Sequence, residues 1–359
     1  MAKNRAKKAN VFYTIFIDGL SGMALGLFAT LIVGTIFVQL SPIVPGKIGT
    51  LLNVVGKTAQ LLTGAGIGCG TAMKLKQTAP LVTISAALCG LIGAYARVIL
   101  AGTFFVGNSF NITPPGEPLG AFIAALAAIG VGKLVSGRTS VDILVTPVCC
   151  TVIGSAAGLL VGPYISAFMS WLGQLVNWGT EQQPFLMGIV VSVLMGIFLT
   201  LPISSAAIGV SLGLSGLAAG AATVGCCANM IGFAVASYRE NKVGGLIAQG
   251  LGTSMLQIPN IIRRPLIWLP AIVSSAVLGP VSTMLFKMYS NAVGSGMGTA
   301  GLVGPIMTYT TMAENGNAGM VLGVIIVMYF IFPALISLAV SETMRKLKWI
   351  KFGDMKLDI

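Results

Sequence analysis

The chain has 359 residues, of which 55% are hydrophobic and 8% are charged. A soluble protein of this length could not cover its surface with so few charged side chains, whereas a lipid bilayer requires such a composition. The composition therefore excludes a soluble globular protein. It predicts an all-α, polytopic membrane protein whose spans satisfy their own backbone hydrogen bonds.

The formal net charge is +12, and its placement excludes nucleic acid as a partner. Basic residues precede the first apolar run at Lys3, Arg5, Lys7 and Lys8, and five more follow the last one, beginning at Arg345. Basic residues beside spans are typical of tails that stay in the cytoplasm. A nucleic-acid-binding protein would need a basic face with groove-reading residues, and none is interleaved in this sequence.

Neither a metal site nor a bound cofactor is predicted. The six cysteines lie inside apolar runs without CxxC spacing, and the chain has no histidine, so a zinc site has few available ligands. We expect these cysteines to be small buried side chains. They are Cys69, Cys89, Cys149, Cys150, Cys226 and Cys227.

The chain divides into three predicted parts. Residues 1–12 form a cytoplasmic N-terminal tail, 13–341 a transmembrane domain, and 342–359 a cytoplasmic C-terminal tail. The first apolar run resembles a secretory signal, but it is too long and lacks a small-residue cleavage site, so it is expected to stay as an anchor.

About ten apolar segments are long enough to be spans, which need about 20 residues. Alternate loops between them carry lysine and arginine, which indicates that the N-terminus and the C-terminus are both cytoplasmic. The number of crossings is then even. Residues 203–238 fit either two short spans or a re-entrant hairpin and one span. The candidates are 14–38, 48–73, 79–106, 118–136, 141–163, 184–202, 203–219, 220–238, 265–286 and 318–341.

Three stretches mix glycine, proline and uncharged polar residues with apolar ones: 61–71, 244–264 and 287–317. Non-helical backbone at membrane depth is tolerated only where protein buries it or where it lines a watery cavity. Broken helices of this kind hold the substrate in many transporters. The alternative interpretation is a glycine-rich loop outside the membrane.

Residues 164–180, with Trp171 and Trp178, are predicted to form a helix at the outer interface.

Spaced glycines indicate close helix packing and a weak internal repeat. Residues 26–37 resemble 188–199 with both glycines in register, which suggests an inverted repeat of about five helices per half. A second match, 147–158 with 270–281, pairs segments of the same direction and contradicts it. Small residues four apart suit close packing at Gly22/Gly26, Gly64/Gly68, Gly154/Gly158 and Gly216/Gly220.

Each ionisable residue near a span is a candidate functional group. Asp18 fits an interface or a cavity, and Arg97 fits snorkelling to the interface or a structural ion pair better than a solute contact. Asp142 and Glu117 each begin a helix, where capping is the simpler interpretation. Glu314 follows a run of hydroxyl-bearing residues and could accept hydrogen bonds from a polyol, although an exposed loop carboxylate fits as well.

Uncharged polar residues gather in one otherwise apolar region. Five of them occur in some thirty residues, and each buried amide costs stability unless it is hydrogen-bonded. The pattern fits a polar-lined pocket or a satisfied internal network. The residues are Asn229, Gln249, Thr253, Gln257 and Asn260.

Several motifs resemble phosphotransferase-system enzyme IIC-like membrane proteins, the group that includes the PfoR-type regulators. They are GTSMLQIPN at 252–260, PLIWLP at 265–270, GTAGLVG at 298–304 and DGLSGMALGLFAT at 18–30. The resemblance implies a component of a sugar-uptake system in a bacterial cytoplasmic membrane, a homodimer, and separate IIA and IIB proteins as partners. The better understood sugar-transporting members are similar in using a histidine and a glutamate, and this chain has no histidine.

Two functions remain open at this point. The first is a transporter that moves a small polar solute, such as a sugar, by alternating access; the second is a membrane-embedded sensor of the PfoR type. No nucleophile with an oriented base is present, so enzymatic activity is not expected. The predicted solute-binding residues are Gln257, Asn260, Thr310, Glu314, Asn315, Asn229 and Thr253. The predicted hinge glycines are Gly294, Gly296, Gly298, Gly301 and Gly304.

Overall fold

The structure is a computed structural model, and it describes residues 14–357 apart from 43, 77–78, 107–108, 111–115 and 314–316. The chain folds into two compact units, residues Met1–Phe168 and Met169–Ile359. Nearly all regular structure in both units is helical, which confirms the predicted all-α class.

Unit 1 is built from helices joined by short turns. Its first helical run begins with the π-helical segment Thr14–Gly19 and contains a second one, Phe28–Ile32. A short antiparallel pair of strands, β1 (Phe105–Val106) and β2 (Ser109–Phe110), precedes the fourth long helix. The α-helices are α1 (Leu20–Leu27), α2 (Val33–Leu40), α3 (Lys47–Leu61), α4 (Thr63–Lys74), α5 (Pro80–Ala94), α6 (Ala96–Leu100), α7 (Pro118–Val135) and α8 (Asp142–Thr180), the last of which continues into unit 2.

Unit 2 contains more interrupted helices than unit 1. Its π-helical segments are Ala248–Gly252, Val281–Leu285 and Val327–Ile331, and its 3₁₀ turns are Ser254–Gln257, Pro265–Trp268 and Ala300–Leu302. Its α-helices are α9 (Pro184–Thr200), α10 (Ser205–Ser211), α11 (Gly216–Ala236), α12 (Tyr238–Ile247), α13 (Ile258–Arg263), α14 (Leu269–Pro280), α15 (Ala292–Ser295), α16 (Val303–Ala313), α17 (Ala318–Ile326) and α18 (Phe332–Lys346).

Within the described residues, 6 helical segments are long and apolar enough to cross a membrane. Two shorter apolar helices, Pro80–Ala94 and Pro184–Thr200, coincide with further predicted spans. The six segments are Ile17–Leu40, Pro118–Val135, Asp142–Thr180, Gly216–Ala236, Pro265–Leu285 and Ala318–Lys346. The chain is therefore a polytopic α-helical membrane protein.

Some predicted spans are interrupted. The predicted span 48–73 breaks at Leu62, between α3 and α4. The predicted span 203–219 is not one helix. It contains the seven-residue helix α10, a turn, and the start of α11 at Gly216. Within 203–238, the helix long and apolar enough to cross a membrane is α11, Gly216–Ala236. Glycines at 213 and 216 with positive φ make the turn between α10 and α11.

The predicted interfacial helix 164–180 is continuous with the preceding span. Asp142–Thr180 is one helix of 39 residues, and Pro163 lies within it without ending it. A proline inside a helix removes one backbone hydrogen bond, which does not by itself terminate a long apolar helix. The boundary predicted near 163 is therefore absent.

Glycines bring helices into backbone contact within each unit. A Cβ on Gly26 would meet the carbonyl oxygen of Gly66, and one on Gly34 would lie 2.6 Å from that of Gly56. The glycines matched to them by the predicted repeat behave alike: Gly188 contacts Gly279, and Gly196 contacts Gly225. Inside a bilayer, no hydrophobic effect drives helices together. Close approach at glycines instead increases the van der Waals contact between them.

Candidate functional site

Unit 2 contains two segments of interrupted helix, as the sequence predicted for 244–264 and 287–317. In the first, the π-helical segment Ala248–Gly252 ends at Thr253, which has extended backbone (φ −159°). The Thr253 hydroxyl accepts a hydrogen bond from the Met255 N–H at 3.2 Å and so caps the following 3₁₀ turn. The helix therefore cannot continue through Thr253.

The second interrupted segment surrounds Gly298 and Gly301, which have φ of +53° and +52°. Both values suit glycine, and the Gly298 Cα also lies against Cys226, where a Cβ would come within 2.8 Å of that residue's backbone carbon. The Gly304 N–H donates to the Gly298 carbonyl at 2.8 Å, which closes the loop. These two positions require glycine on conformational grounds.

The two interrupted segments meet beside the middle of α11. The buried Thr299 hydroxyl donates to the carbonyl oxygen of Gly250 and lies 3.4 Å from the Met230 sulfur. A Cβ on Gly250 would lie 3.5 Å from Ala234 and Ile231 of the same helix. The polar backbone of both segments is therefore held between helices of unit 2, as buried irregular backbone in a membrane protein must be.

Asn229 is the centre of a buried hydrogen-bond network. Its Nδ2 donates to the Gly225 carbonyl at 3.2 Å and the Ser275 hydroxyl at 3.1 Å. Its Oδ1 accepts from Trp268 Nε1 at 2.9 Å and from the Thr200 hydroxyl at 3.3 Å. All four hydrogen-bonding positions of the amide are used, and so this side chain ties α9, α11 and α14 together.

A second network links three side-chain amides in a row, Gln249, Gln257 and Asn260. The Gln257 Nε2 donates to Gln249 Oε1 at 2.8 Å, and the Asn260 Nδ2 donates to Gln257 Oε1 at 2.8 Å. Gln249 in turn donates to the Ser237 hydroxyl at 2.9 Å. We refer to Asn241, Gln249, Gln257 and Asn260 together as the amide cluster.

The remaining donors of the amide cluster bind the C-terminal segment of the same chain. Met355 supplies a carbonyl oxygen to Asn241 Nδ2 at 2.8 Å and to Gln257 Nε2 at 3.0 Å. The Lys356 carbonyl accepts from Asn260 Nδ2 at 2.8 Å, and the Leu357 N–H donates to Asn241 Oδ1 at 2.8 Å. Gln257 and Asn260, two of the predicted solute-binding amides, therefore contact peptide backbone in this structure.

An ion pair and an apolar cluster support the amide cluster. Arg345 donates to both carboxylate oxygens of Glu240 at 2.8 and 3.1 Å, and also to the Ala236 carbonyl at 3.0 Å. The buried side chains of Ile350 and Met355 pack with Phe233, Ile267 and Met344. This end of unit 2 is thus assembled from the C-terminal ends of α11 and α18 and the start of the 265–285 span.

Other predicted site residues lie elsewhere or outside the described residues. Thr310 is exposed, and its hydroxyl donates to the Met307 carbonyl of its own helix at 3.0 Å. Gly294 is buried beside Ser290, and the Gly296 carbonyl accepts from the Ser205 hydroxyl at 2.7 Å. Glu314 and Asn315 are outside the described residues.

The ionisable candidates of unit 1 are separate from one another. Asp18 and Arg97 are exposed, and Asp142 accepts from the Gly137 N–H at 3.0 Å and the Thr146 hydroxyl at 2.6 Å. Glu117 precedes α7, and its Oε1 is buried with no hydrogen-bond partner among the described residues. Burial raises the pKa of the Glu117 carboxyl to about 7.

Sequence reasoning missed buried hydroxyl groups around Asn229 and at the junction of the two interrupted segments. Thr299, Thr200, Ser254 and Ser275 are all buried in unit 2, and Thr200 and Ser254 share a hydrogen bond at 2.8 Å. Serine and threonine also bond to carbonyls of their own helix, so their presence in an apolar run does not mark a site. Their partners become visible only when helices distant in sequence are packed together.

Interrupted helices that pack against continuous ones, with buried polar groups where they meet, define a class of protein: α-helical membrane proteins of the transporter type. The model of the family described as "Phosphotransferase system, EIIC" matches residues 17–357. The chain belongs to this family and is a membrane component of the phosphotransferase-system type. A comparison with curated proteins found no match.

Proposed function

We propose that the chain moves a small, neutral, polar solute such as a sugar across a bacterial cytoplasmic membrane by alternating access. The observation that carries this proposal is the meeting of the two interrupted segments at Thr299 and Gly250. Two broken helices in contact can change their relative position without unfolding a continuous span. The conformational freedom of Gly298 and Gly301 supports a hinge there.

The proposed solute contacts are the side-chain amides of Gln257 and Asn260, with the Thr253 hydroxyl close to them in sequence. An amide offers both a donor and an acceptor, which suits a hydroxyl group that is itself both. No charged residue is needed to bind a neutral polyol. Thr310, Glu314 and Asn315 are proposed as a second group of contacts, and Asn229 as a support for the helices around them.

The proposal includes the partners that the family implies. Separate IIA and IIB proteins would deliver a phosphoryl group to the solute at the cytoplasmic side, and two copies of the chain would form a dimer. Both termini are proposed to be cytoplasmic, because the basic residues lie in alternate loops and in both tails. The amide cluster then lies at the cytoplasmic end of unit 2, beside Arg263 and Arg264.

Counterflow in proteoliposomes tests the transport function without phosphorylating partners. Vesicles of phosphatidylethanolamine and phosphatidylglycerol containing the purified chain are loaded with one unlabelled hexose or hexitol, then diluted into its radiolabelled form. The proposal predicts transient accumulation of label for at least one solute, absent from protein-free vesicles. If folded protein accumulates none of the panel, the carrier proposal fails.

One observation favours a second candidate, a sensor that binds a solute without transporting it. The amides proposed to contact the solute are bound to the C-terminal segment, which would suit a signal passed to a cytoplasmic partner. Equilibrium binding of a hexose or hexitol to the purified chain, without counterflow, would support this second candidate.

A further inference from the structure

The amide cluster binds the C-terminal segment Ile350–Leu357, which we name the strap, mainly through the strap's backbone. Four hydrogen bonds join three consecutive residues of the strap, Met355, Lys356 and Leu357, to side-chain amides. Three of the four use carbonyl oxygens of the strap as acceptors. A carbonyl oxygen is chemically similar to a sugar hydroxyl as an acceptor for an amide N–H.

We propose that the strap is a gate that competes with the solute for Gln257 and Asn260. The strap occupies these amides in the closed state and leaves them when a solute enters or exits at this end of unit 2. The inference rests on the proposed function and adds a regulatory element to the same site.

The strap is attached in a way that allows it to leave as one piece. Ile350, Met355 and Leu357 are buried, whereas Lys351 and Phe352 between them are exposed. Outside the backbone contacts, a wide ion pair at 3.9 Å joins Asp354 of the strap to Arg264, whose side chain is 61% exposed. Exposed ion pairs contribute little to stability.

The support beneath the strap is held largely by contacts of its own. The Glu240–Arg345 pair joins α12 to α18, and Gln249 keeps its bonds to Ser237 and to the Gly245 carbonyl. Two long contacts link the strap to the ion pair: the Gly353 N–H donates to Glu240 at 3.3 Å, and Arg345 lies 3.9 Å from the Met355 sulfur. Release of the strap would therefore uncover Gln257 and Asn260 without dismantling the helices that hold them.

The first test uses the unaltered protein in lipid nanodiscs and measures amide hydrogen exchange. A gate opens locally, so the Leu357 amide should exchange at least about 100-fold faster than amides in the middle of α11, whose exchange requires larger opening. Exchange of Leu357 at the same slow rate as α11 would show that the strap is a permanent part of the fold and would overturn the proposal.

The second test measures access to the amide cluster. In a background with Cys69→Ser and Cys149→Ser, Asn260→Cys is labelled with a membrane-impermeant maleimide. Adding Met355→Ala removes a buried anchor of the strap and should raise the labelling rate about tenfold, since the open state becomes more populated. Phe352→Ala, an exposed residue three positions earlier, is the matched control and should leave the rate unchanged.

Equal labelling rates in the Met355→Ala and Phe352→Ala proteins would overturn the proposal. If the Met355→Ala protein does not fold, Asn241→Ala replaces it, because this change removes two of the four hydrogen bonds that hold the strap. Counterflow separates this inference from the proposed function. If loosening the strap does not change solute counterflow, the gate proposal fails and the transport proposal stands. If the wild-type protein shows no counterflow, the transport proposal fails.

Discussion

Arg345 and Glu240 lie 105 residues apart in the sequence and form an ion pair at 2.8 Å whose side chains are only 8% and 0% exposed. The pair fastens the end of α18 to the helix that leads into the amide cluster. Because two charges are taken out of water, the pair persists only with good geometry and additional hydrogen bonds. Arg345 obtains one from the Ala236 carbonyl.

Glu240→Gln should destabilise the protein by about 3–5 kcal/mol, because it leaves the Arg345 charge buried without a counter-charge. Thermal unfolding in detergent measures the change. Arg239→Gln is the control, since its pair with Glu342 is exposed and should contribute less than about 1 kcal/mol. Equal effects of the two substitutions would show that the buried pair has no special structural role.

Gly225→Ala should prevent close packing of α9 against α11. A Cβ at this position would overlap the backbone carbonyl of Ser192, which cannot move aside as a flexible side chain could. Overpacking of this kind costs about 1–3 kcal/mol or more. Gly323→Ala is the matched control, since a Cβ at Gly323 in α17 meets nothing within 4 Å.

Unfolding midpoints of the two alanine variants in the same detergent give the comparison. Gly323→Ala should be neutral or slightly stabilising, because alanine is the better helix former by about 0.5–1 kcal/mol. A Gly225→Ala protein as stable as the Gly323→Ala protein would contradict the described contact between α9 and α11.

Asn229→Leu should destabilise unit 2 although leucine is of similar size. The change leaves the Trp268 N–H without its acceptor, and a buried unpaired group costs about 1–3 kcal/mol. The Thr200 hydroxyl keeps its bonds to the Gly196 carbonyl and the Ser254 hydroxyl. Trp268 fluorescence during unfolding reports on the site. Thr310→Val, at an exposed position, should unfold like the wild type; a similar loss there would mean that Asn229 has no special role.

Glu117→Gln should change how stability depends on pH. Because burial raises the pKa of Glu117 to about 7 from an ordinary 4.5, the folded state binds a proton that the unfolded state releases between these values. Wild-type stability should therefore fall as pH rises through this window, by up to about 3 kcal/mol, and level off above it. The glutamine variant cannot titrate and should lack this part of the decrease.

Unfolding midpoints of both proteins at pH 5 and pH 8 provide the measurement. The wild-type midpoint should drop more between the two pH values than that of the Glu117→Gln protein. Parallel changes in the two proteins would show that the Glu117 carboxyl is solvated in the folded state.

The all-α class and the broken character of two segments could be predicted from composition and from glycine and proline placement. Boundaries were less predictable. Leu62 ends α3 inside the predicted span 48–73, and Pro163 does not end α8, although local hydropathy predicts neither. Such boundaries depend on which neighbouring helices supply packing and hydrogen bonds.

The polar residues around Gln257 were predictable as a group, because amides are rare in apolar sequence. Their actual partners were not. The strap residues Met355 and Lys356 bind through backbone atoms, which every residue has, so no side-chain pattern marks them. For the same reason, the sequence could suggest either a pocket or a satisfied network and could not choose between them.

The central claim is that a polar solute passes through the amide cluster of unit 2. Counterflow measured with variants of the two proposed solute-binding amides tests it most directly. Gln257→Ala and Asn260→Ala, each confirmed to be folded, should reduce counterflow of the transported hexose or hexitol by at least about tenfold, since each removes hydrogen bonds made to the solute. Thr310→Ala, exposed on α16, should retain more than about half of wild-type counterflow if its contact is secondary. Full counterflow in both amide variants would contradict the account.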